Sequence, residues 1–255
     1  MSRAFHRGFT LIELLVSLAV AALLAAFLLP SLGQAKASAK RIQCTQNLRQ
    51  LGLAAMMYWD DHDQKSFPYL FGRNPEGLTY WFGWLQSGAE GTRRFDPSMS
   101  PLWSYYGERG LTRCPALEIQ QPRFKLKAAG RSFGYGYNLH LSPSGARPPL
   151  QGESPLRITE LPRPSGTALF ADSAQINDFQ PPASKERPLL EEFYYISTGG
   201  PLYANVHFRH QGKANVVLID GHVEALPPQP HTRDERLPMK SVARLLESYL
   251  LPQTP

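Results

Sequence analysis

Apolar positions along the chain fall into two regimes. From Leu14 to Gln34 there are 21 residues without a charge, mostly Leu, Ala, Val and Phe. At about 1.5 Å per residue a helix of that length covers roughly 30 Å, the thickness of a bilayer's hydrocarbon core. No other stretch of the sequence is comparable. Further on, Cys44, Leu48, Leu51, Ala55 and Tyr58 form a stripe at helical spacing, while Lys40, Arg41, Arg49 and Gln50 populate the other faces. One helix is therefore expected, with a membrane-spanning first half over 14–34 and an amphipathic extension over 36–60. Pro30 removes the bond to the carbonyl of Ala26 and Gly33 follows, which predicts a kink or local melting. Asp60, Asp61 and His62 ahead of Pro68 predict the helix end near residues 59–63.

From Phe67 onward the pattern is one of short strands and long loops, with Gly and Pro clusters at 72–77, 141–149 and 180–188. Strands are predicted over Phe133–Leu139, Thr167–Ala171, Phe193–Ile196 and Tyr203–His210. The clearest element is a hairpin in which Ala214–Ile219 is apolar and β-branched, Asp220-Gly221 suits a type I′ turn, and His222–Leu226 returns. Residues 234–251, with Leu237, Val242, Leu245, Leu246, Tyr249 and Leu250, predict a terminal amphipathic helix. The fold class is α+β: a long N-terminal helix packed on a mostly antiparallel sheet, with Pro/Gly-rich loops. Residues 69–113 are expected to be a long loop.

Composition sharpens this only in places. A mean hydropathy of −0.31 in 255 residues excludes a polytopic membrane protein, but not one apolar segment diluted by a polar remainder. The net charge of +6 is unevenly spread: residues 1–60 hold six basic residues against Glu13 and Asp60, and the remainder holds 21 basic against 19 acidic. That remainder has no Lys/Arg run, no zinc-finger spacing and no basic stripe interleaved with aromatics, so nucleic acid is not an expected partner. Two cysteines exclude a disulfide-dense scaffold and a four-cysteine zinc site. Two charges of the +6 belong to Arg3 and Arg7 alone.

Three kinds of N-terminal segment share such a start: a cleaved secretory signal ending near Ala35-Lys36-Ala37, a plain signal anchor, and a third kind marked by Glu13. An ionised carboxylate inside an apolar membrane run costs a few kcal/mol on insertion scales and is rarely accidental. Residues Arg7-Gly8-Phe9-Thr10-Leu11-Ile12-Glu13-Leu14-Leu15-Val16 resemble the prepilin signature of type IV pilins and type II secretion pseudopilins. A short basic leader ends in Gly8, Phe9 follows, Glu13 is fifth counting from Phe9, and Pro30 is twenty-second. The resemblance implies that a membrane prepilin peptidase cuts between Gly8 and Phe9 on the cytoplasmic side and methylates the Phe9 amine. It also implies that Glu13 pairs with a neighbouring subunit's N-terminal amine in a filament, since a buried carboxylate needs a partner. The corresponding organisation is a leader over 1–8, a long helix over 9–63 and a pilin-like head over 64–255. Positive charge alone leaves orientation open, with two basic residues before the segment against three just after it. The resemblance puts the leader in the cytoplasm, the segment in the inner membrane and the head in the periplasm or outside the cell.

Cys44–Tyr58, Asp60/Asp61, Phe67-Pro68, Cys114-Pro115 and Gly134-Tyr-Gly-Tyr-Asn138 resemble the head of a large pseudopilin-like family with a C-terminal His-x9-Asp-Gly motif, matched by His210, Asp220 and Gly221. In an oxidising compartment Cys44 and Cys114 are candidates for a disulfide, closing 71 residues and stabilising by up to roughly 4 kcal/mol; two separate buried thiols are the alternative. The motif admits three readings: a structural polar cluster with Asp220 capping its turn, calcium held by Asp172 and Asp220 with backbone carbonyls, or a transition metal on His207, His210, His222 and His231. No cofactor is expected, with calcium as the alternative.

No catalytic residue is expected. Gly130-Arg-Ser132-Phe-Gly134 fits a nucleophile-elbow pattern, with Asp172 and His210 in hydrolase order, but a strand rather than a helix follows it and alternating βα units are missing. The sequence therefore points to a structural subunit of a pseudopilus or type IV pilus-like filament, whose partners are the peptidase, other pilin-like subunits and an inner-membrane assembly platform. The alternative is an anchored exported binding domain, carbohydrate included, with Tyr80, Trp81, Trp84, Trp103, Tyr105 and Tyr106 as stacking residues.

Overall fold

The structure is a computed structural model that describes residues 10–107, 112–129, 133–143, 155–198 and 204–252. Helix α1 spans Leu11–Asp61, and the chain divides into two compact units, Met1–Lys40 and Arg41–Pro255. In the first unit thirteen large apolar side chains from Leu11 to Leu32 are more than half exposed. Among the described residues α1 is the one helix long and apolar enough to cross a membrane. Of the kink or local melting expected at Pro30, the melting does not occur; the helix runs through Pro30 and Gly33 without a break. A proline removes one bond of the ladder, and helical turns on both sides hold the local geometry.

In the second unit the helix has one buried face, formed by Cys44, Asn47, Leu48, Leu51, Gly52, Ala54, Ala55 and Trp59. Strands follow in the order β1 Leu70–Asn74, β2 Gly77–Tyr80, β3 Gly83–Gln86, β4 Phe95–Asp96, then a short helix α2 Trp103–Tyr106. Next come β5 Phe124–Lys125, β6 Tyr135–Asn138, β7 Ala168–Asp172, β8 Gln175–Asn177, β9 Leu189–Glu191, β10 Tyr195–Ile196 and β11 Val206–His207. The chain ends with β12 Ala214–Leu218, β13 Val223–Leu226, β14 Val242–Ala243 and a four-residue helix α3 Glu247–Leu250. The main sheet has the order β10-β6-β7-β12-β13, antiparallel except for the β10–β6 pair. The α+β expectation is met.

Both central strands are buried along their whole length, which explains why Ala214–Leu218 reads as a nearly continuous apolar run. Val217 and Ile219 face the cluster containing Leu48, Leu51 and Ala55 of α1. Ala214, Val216 and Leu218 face a second cluster closed by Leu226, Leu245 and Leu250. Gly52 is where helix and sheet approach most closely: a Cβ there would lie 2.8 Å from a Val217 methyl. After the helix Phe67 stacks on Tyr137 at 4.5 Å, and the Tyr137 hydroxyl donates to the Phe67 carbonyl.

Two elements differ from expectation. Residues 70–96 are not loop but a four-stranded antiparallel meander, β1-β2-β3-β4, whose Trp81 indole donates to the Tyr194 carbonyl. Its first turn, at Asn74–Gly77, lies in the Gly/Pro cluster read as loop punctuation, and its second is at Tyr80–Gly83. Residues 234–251 are not one helix: Pro238 opens a single 3-10 turn, Ser241 is left-handed at φ 51°, and Val242–Ala243 pair with β11. Leu237, Val242, Leu245 and Leu250 are buried as their spacing suggested. Ladder hydrogen bonds to β11 decide their conformation instead of helical periodicity.

Replacing Gly52 by Leu should therefore drive a side chain into Val217. The expected loss is about 1–3 kcal/mol of head stability, read by thermal or denaturant unfolding of the detergent-solubilised chain, with no comparable loss for Gly33→Leu, where a Cβ meets nothing.

Candidate functional site: a closed polar cluster under the helix

Gly8 and Phe9 lie outside the described residues. Immediately after them, the Thr10 backbone N–H and hydroxyl both donate to a Glu13 carboxylate oxygen at 2.8 Å, and the Glu13 N–H donates back to the Thr10 hydroxyl at 3.3 Å. This is a reciprocal capping box, which satisfies otherwise orphaned donors at the helix start. Glu13 thus has a partner within its own chain.

The His-x9-Asp-Gly spacing has a simple structural meaning. His210 and Lys213 exchange backbone hydrogen bonds across Gln211 and Gly212, both left-handed, which is a type I′ turn. The nine intervening residues are that turn's remainder, strand β12 and Ile219, so His210 lies at one end of the strand and Asp220-Gly221 at the other. The turn expected at Asp220-Gly221 is of a different type. Gly221 alone of the pair takes a positive φ, at 87°, and its N–H donates to the Leu218 carbonyl, giving a three-residue loop closed by a glycine bulge. Asp220 caps this loop by accepting from the His222 N–H at 3.2 Å and from His222 Nδ1 at 2.6 Å, while His222 Nε2 meets Glu224 at 3.2 Å.

At the His210 end of the strand a buried polar cluster is assembled from four segments. Cys44 comes from α1, Cys114 from the segment after α2, Asp172 from the last position of β7, and Arg209 and His210 from the approach to β12. Asp172 is 0% exposed. Its Oδ1 accepts from Arg209 Nη2 at 2.8 Å, Arg209 Nε at 3.2 Å and the Cys44 thiol at 3.1 Å. Its Oδ2 accepts from the Asn215 N–H at 2.8 Å and stands 3.3 Å from His210 Nε2. That same Nε2 is 3.5 Å from Cys114 Sγ. Around them, the Tyr135 hydroxyl donates to Cys44 Sγ at 3.6 Å and itself accepts from Asn47 Nδ2 at 3.0 Å. Asn47 also holds Thr112, two residues before Cys114, through its carbonyl and hydroxyl.

The protonation states follow from this packing. Burial alone would raise the Asp172 carboxyl, but Arg209 and His210 overcome it and hold the group well below the usual carboxylate range. Burial would lower His210, yet its bonds to Asp172 and Cys114 lift it to about 9. Burial opposes a thiolate at Cys114 too, but the Cys44 hydrogen bond, Arg209 and His210 bring it down to about 5. Cys44 is pushed the other way, by burial and by the same thiol contact. Burial and Arg209 keep His207 well below the usual imidazole value, so its Nδ1 accepts from Arg209 Nη1 at 3.1 Å.

Several sequence-level assignments need correction. Cys44 and Cys114 do come together, but as free thiols in contact, Cys44 also on Asp172 and Cys114 also beside His210, not as a disulfide. Asp172 and Asp220 do not share a site. Asp172 accepts from Asn215 at the start of β12, five residues from Asp220, which puts them roughly 15 Å apart along the strand. The calcium reading on that pair fails. The four-histidine reading fails too, because His222 is at the far turn and His231 is an exposed left-handed residue. None of the six candidate stacking aromatics is exposed; Trp81 and Trp84 are buried and the other four half-buried. Of the elbow pattern, residues 130–132 lie outside the described residues. Arg209, Asn47, Tyr135 and Asn215 were missed. The available signals were a carboxylate ending the wholly apolar run Ala168–Ala171 and a cysteine on the helix's buried stripe.

An α+β head behind a capped apolar helix defines the class. Residues 3–29 match the family described as a prokaryotic N-terminal methylation motif; the match supports a prepilin-like exported protein, and the apolar N-terminal helix fits membrane anchoring. Residues 33–87 match a second family, described as a protein of unknown function (DUF1559), and the two matches together are consistent with the type IV prepilin-like family. No curated protein and no solved structure matches the chain.

Two measurements follow. Asp172→Ala leaves the buried Arg209 guanidinium without its counter-ion and should cost about 3–5 kcal/mol, read as a lowered denaturant midpoint. His222 is pulled down by its slight burial but raised further by Glu224 and Asp220. A raised folded-state pKa means that the stabilisation is complete below 6.5 and is lost as pH climbs through the folded value. The His222 ring should titrate above 6.5 by NMR, and Glu224→Gln with Asp220→Asn should return it to about 6.5.

Proposed function

We propose that this chain is a subunit of a pseudopilus or type IV pilus-like filament, cut between Gly8 and Phe9 and methylated at the Phe9 amine. The observation that carries the reading is the surface of the first unit: thirteen large apolar side chains stand in the open between Leu11 and Leu32, with Glu13 as the only charge among them. Covering each contributes about 1.5–3 kcal/mol, so lipid, and after extraction neighbouring helices, must supply what this chain does not. Removing residues 1–8 takes away Arg3 and Arg7, which would otherwise resist leaving the membrane. The new amine is then one residue before Thr10, whose N–H and hydroxyl donate to the Glu13 carboxylate. In a filament Glu13 exchanges its own Thr10 N–H for a neighbour's terminal amine, which sets register as well as attraction. In this reading the leader faces the cytoplasm, the segment sits in the inner membrane and the head lies beyond it. The helix over 9–63 and the head over 64–255 form the mature subunit, served by the prepilin peptidase, other pilin-like subunits and an assembly platform.

Intact mass of the membrane-extracted protein tests the processing step. The expected value is that of residues 9–255 plus one methyl group, and cleavage after Ala37 overturns the reading. Glu13→Ala should leave the membrane level unchanged while abolishing filaments recovered by shearing; undiminished filaments would remove Glu13 from assembly.

A further inference from the structure

We propose that Cys44, Cys114, Asp172 and His210 are the four ligands of a structural zinc site that clamps helix α1 to the sheet of the head. Four ligand atoms, two sulfurs, one imidazole nitrogen and one carboxylate oxygen, lie within 4.8 Å of one another, and all four residues are buried. With metal bonds of about 2.3 Å to sulfur and about 2.0–2.1 Å to nitrogen or oxygen, the edges of a tetrahedral site are roughly 3.3–3.8 Å. The His210 Nε2 to Asp172 Oδ2 separation is 3.3 Å and the Cys114 Sγ to His210 Nε2 separation is 3.5 Å. These two edges, both at His210 Nε2, fall at the length expected for their pairs of elements, and the remaining separations are no longer than 4.8 Å.

The convergence on one nitrogen separates this arrangement from a catalytic relay. In a Cys-His-Asp relay the imidazole meets the nucleophile through one nitrogen and the carboxylate through the other. Here both partners crowd the same Nε2. A ring nitrogen carries one proton or one lone pair and serves one partner along its axis. A cation at the centre of the four atoms answers to that lone pair and to the sulfur and oxygen at once. The full burial of the cluster likewise suits a closed structural site with four protein ligands.

The donor set selects the ion. Calcium and magnesium require cages of oxygen, which two sulfurs and a nitrogen do not provide. Thiolates with imidazole and one carboxylate suit zinc. The surroundings are arranged as an outer shell that orients ligands. Arg209 holds Asp172 Oδ1 and leaves Oδ2 for the metal, the Asn215 N–H steadies Oδ2, and the Tyr135 hydroxyl, positioned by Asn47, supports Cys44 Sγ. Charge balances as well. Two thiolates and one carboxylate supply three negative charges, and zinc with the Arg209 guanidinium supplies three positive ones. On binding, two protons leave, one from the Cys44 thiol and one shared by Cys114 and His210. The dication that replaces them keeps the cluster neutral.

The ligands come from α1, the segment leading to Phe133, the end of β7 and the entry to β12. The ion therefore joins parts of the chain that are distant in sequence, with His210 and Asp172 as neighbours at one end of the central strands. The proposal does not depend on filament formation.

The test uses the full chain extracted in detergent. Metal analysis of protein purified without chelator should give about one zinc per chain. Cobalt(II) exchanged into the protein should show the charge-transfer and ligand-field bands of a tetrahedral thiolate site. Cys114→Ser and His210→Gln should lose both, while His222→Gln keeps them. Tyr135→Phe, which leaves all four ligands, should weaken zinc about 10–100-fold against a competing chelator. Because ligand variants can fail to fold, the wild-type chain gives a second readout. Chelator should lower its melting temperature, and added zinc should restore it. A chain that carries no zinc, with a mass two hydrogens short and no alkylatable thiols after unfolding, contains a Cys44–Cys114 disulfide and overturns the proposal. A reduced chain that takes up neither zinc nor cobalt overturns it equally.

Discussion

A carboxylate with no access to water has to be neutralised where it stands, and in this head the requirement organises everything nearby. Asp172 closes an apolar strand at the meeting point of α1, the central sheet and the approach to β12. It engages a guanidinium, a thiol, an imidazole and a backbone amide from three other segments. Leaving any of these donors unmatched costs more than an ordinary hydrogen bond contributes, because the site is dry. The helix is consequently held in register as well as covered. Leu48, Leu51 and Ala55 supply burial that tolerates small shifts, whereas Cys44 and Asn47 must meet Asp172, Tyr135 and Thr112 at specific atoms.

The same helix meets opposite demands along its length. From Arg41 onward its apolar face is packed by the head, while the earlier turns keep large apolar side chains in the open. A sequence with only the second kind of turn would be a membrane segment, and one with only the first a soluble core helix. Joining them in one element lets a single chain be anchored by one half and folded around the other. The Thr10–Glu13 capping box adds that the carboxylate in the apolar run is structurally useful within its own chain. A group satisfied locally can reside in an apolar run at a tolerable cost.

How legible all this was depends on the range of the interactions involved. The buried stripe on α1, the central strands and the hairpin at β12–β13 could be read locally because each is written in periodicity and turn residues within a few positions. Residues 70–96 were misread because their strands are short and glycine-rich, and only pairing with one another identifies them as a sheet. Residues 234–251 were misread for the opposite reason. Their spacing is helical, yet β11, about thirty-five residues earlier, offers Val242–Ala243 a ladder. The left-handed pair expected of Asp220 and Gly221 is found at the other end of β12, on Gln211 and Gly212, a turn that the sequence did not single out.

By itself the sequence determined the membrane-length helix, its charge placement, the register of Gly8, Phe9 and Glu13, and a head built on a mostly antiparallel sheet. These follow from composition and short spacings, which need no knowledge of what lies across the fold. Only the tertiary structure decided that Cys44, Cys114, Asp172, Arg209 and His210 form one cluster and that Asp220 belongs to a different place. Residues separated by 128 positions, such as Cys44 and Asp172, are brought within 3.1 Å by strand order and helix packing. Their meeting leaves no local periodic trace, because contact across a fold is a property of topology.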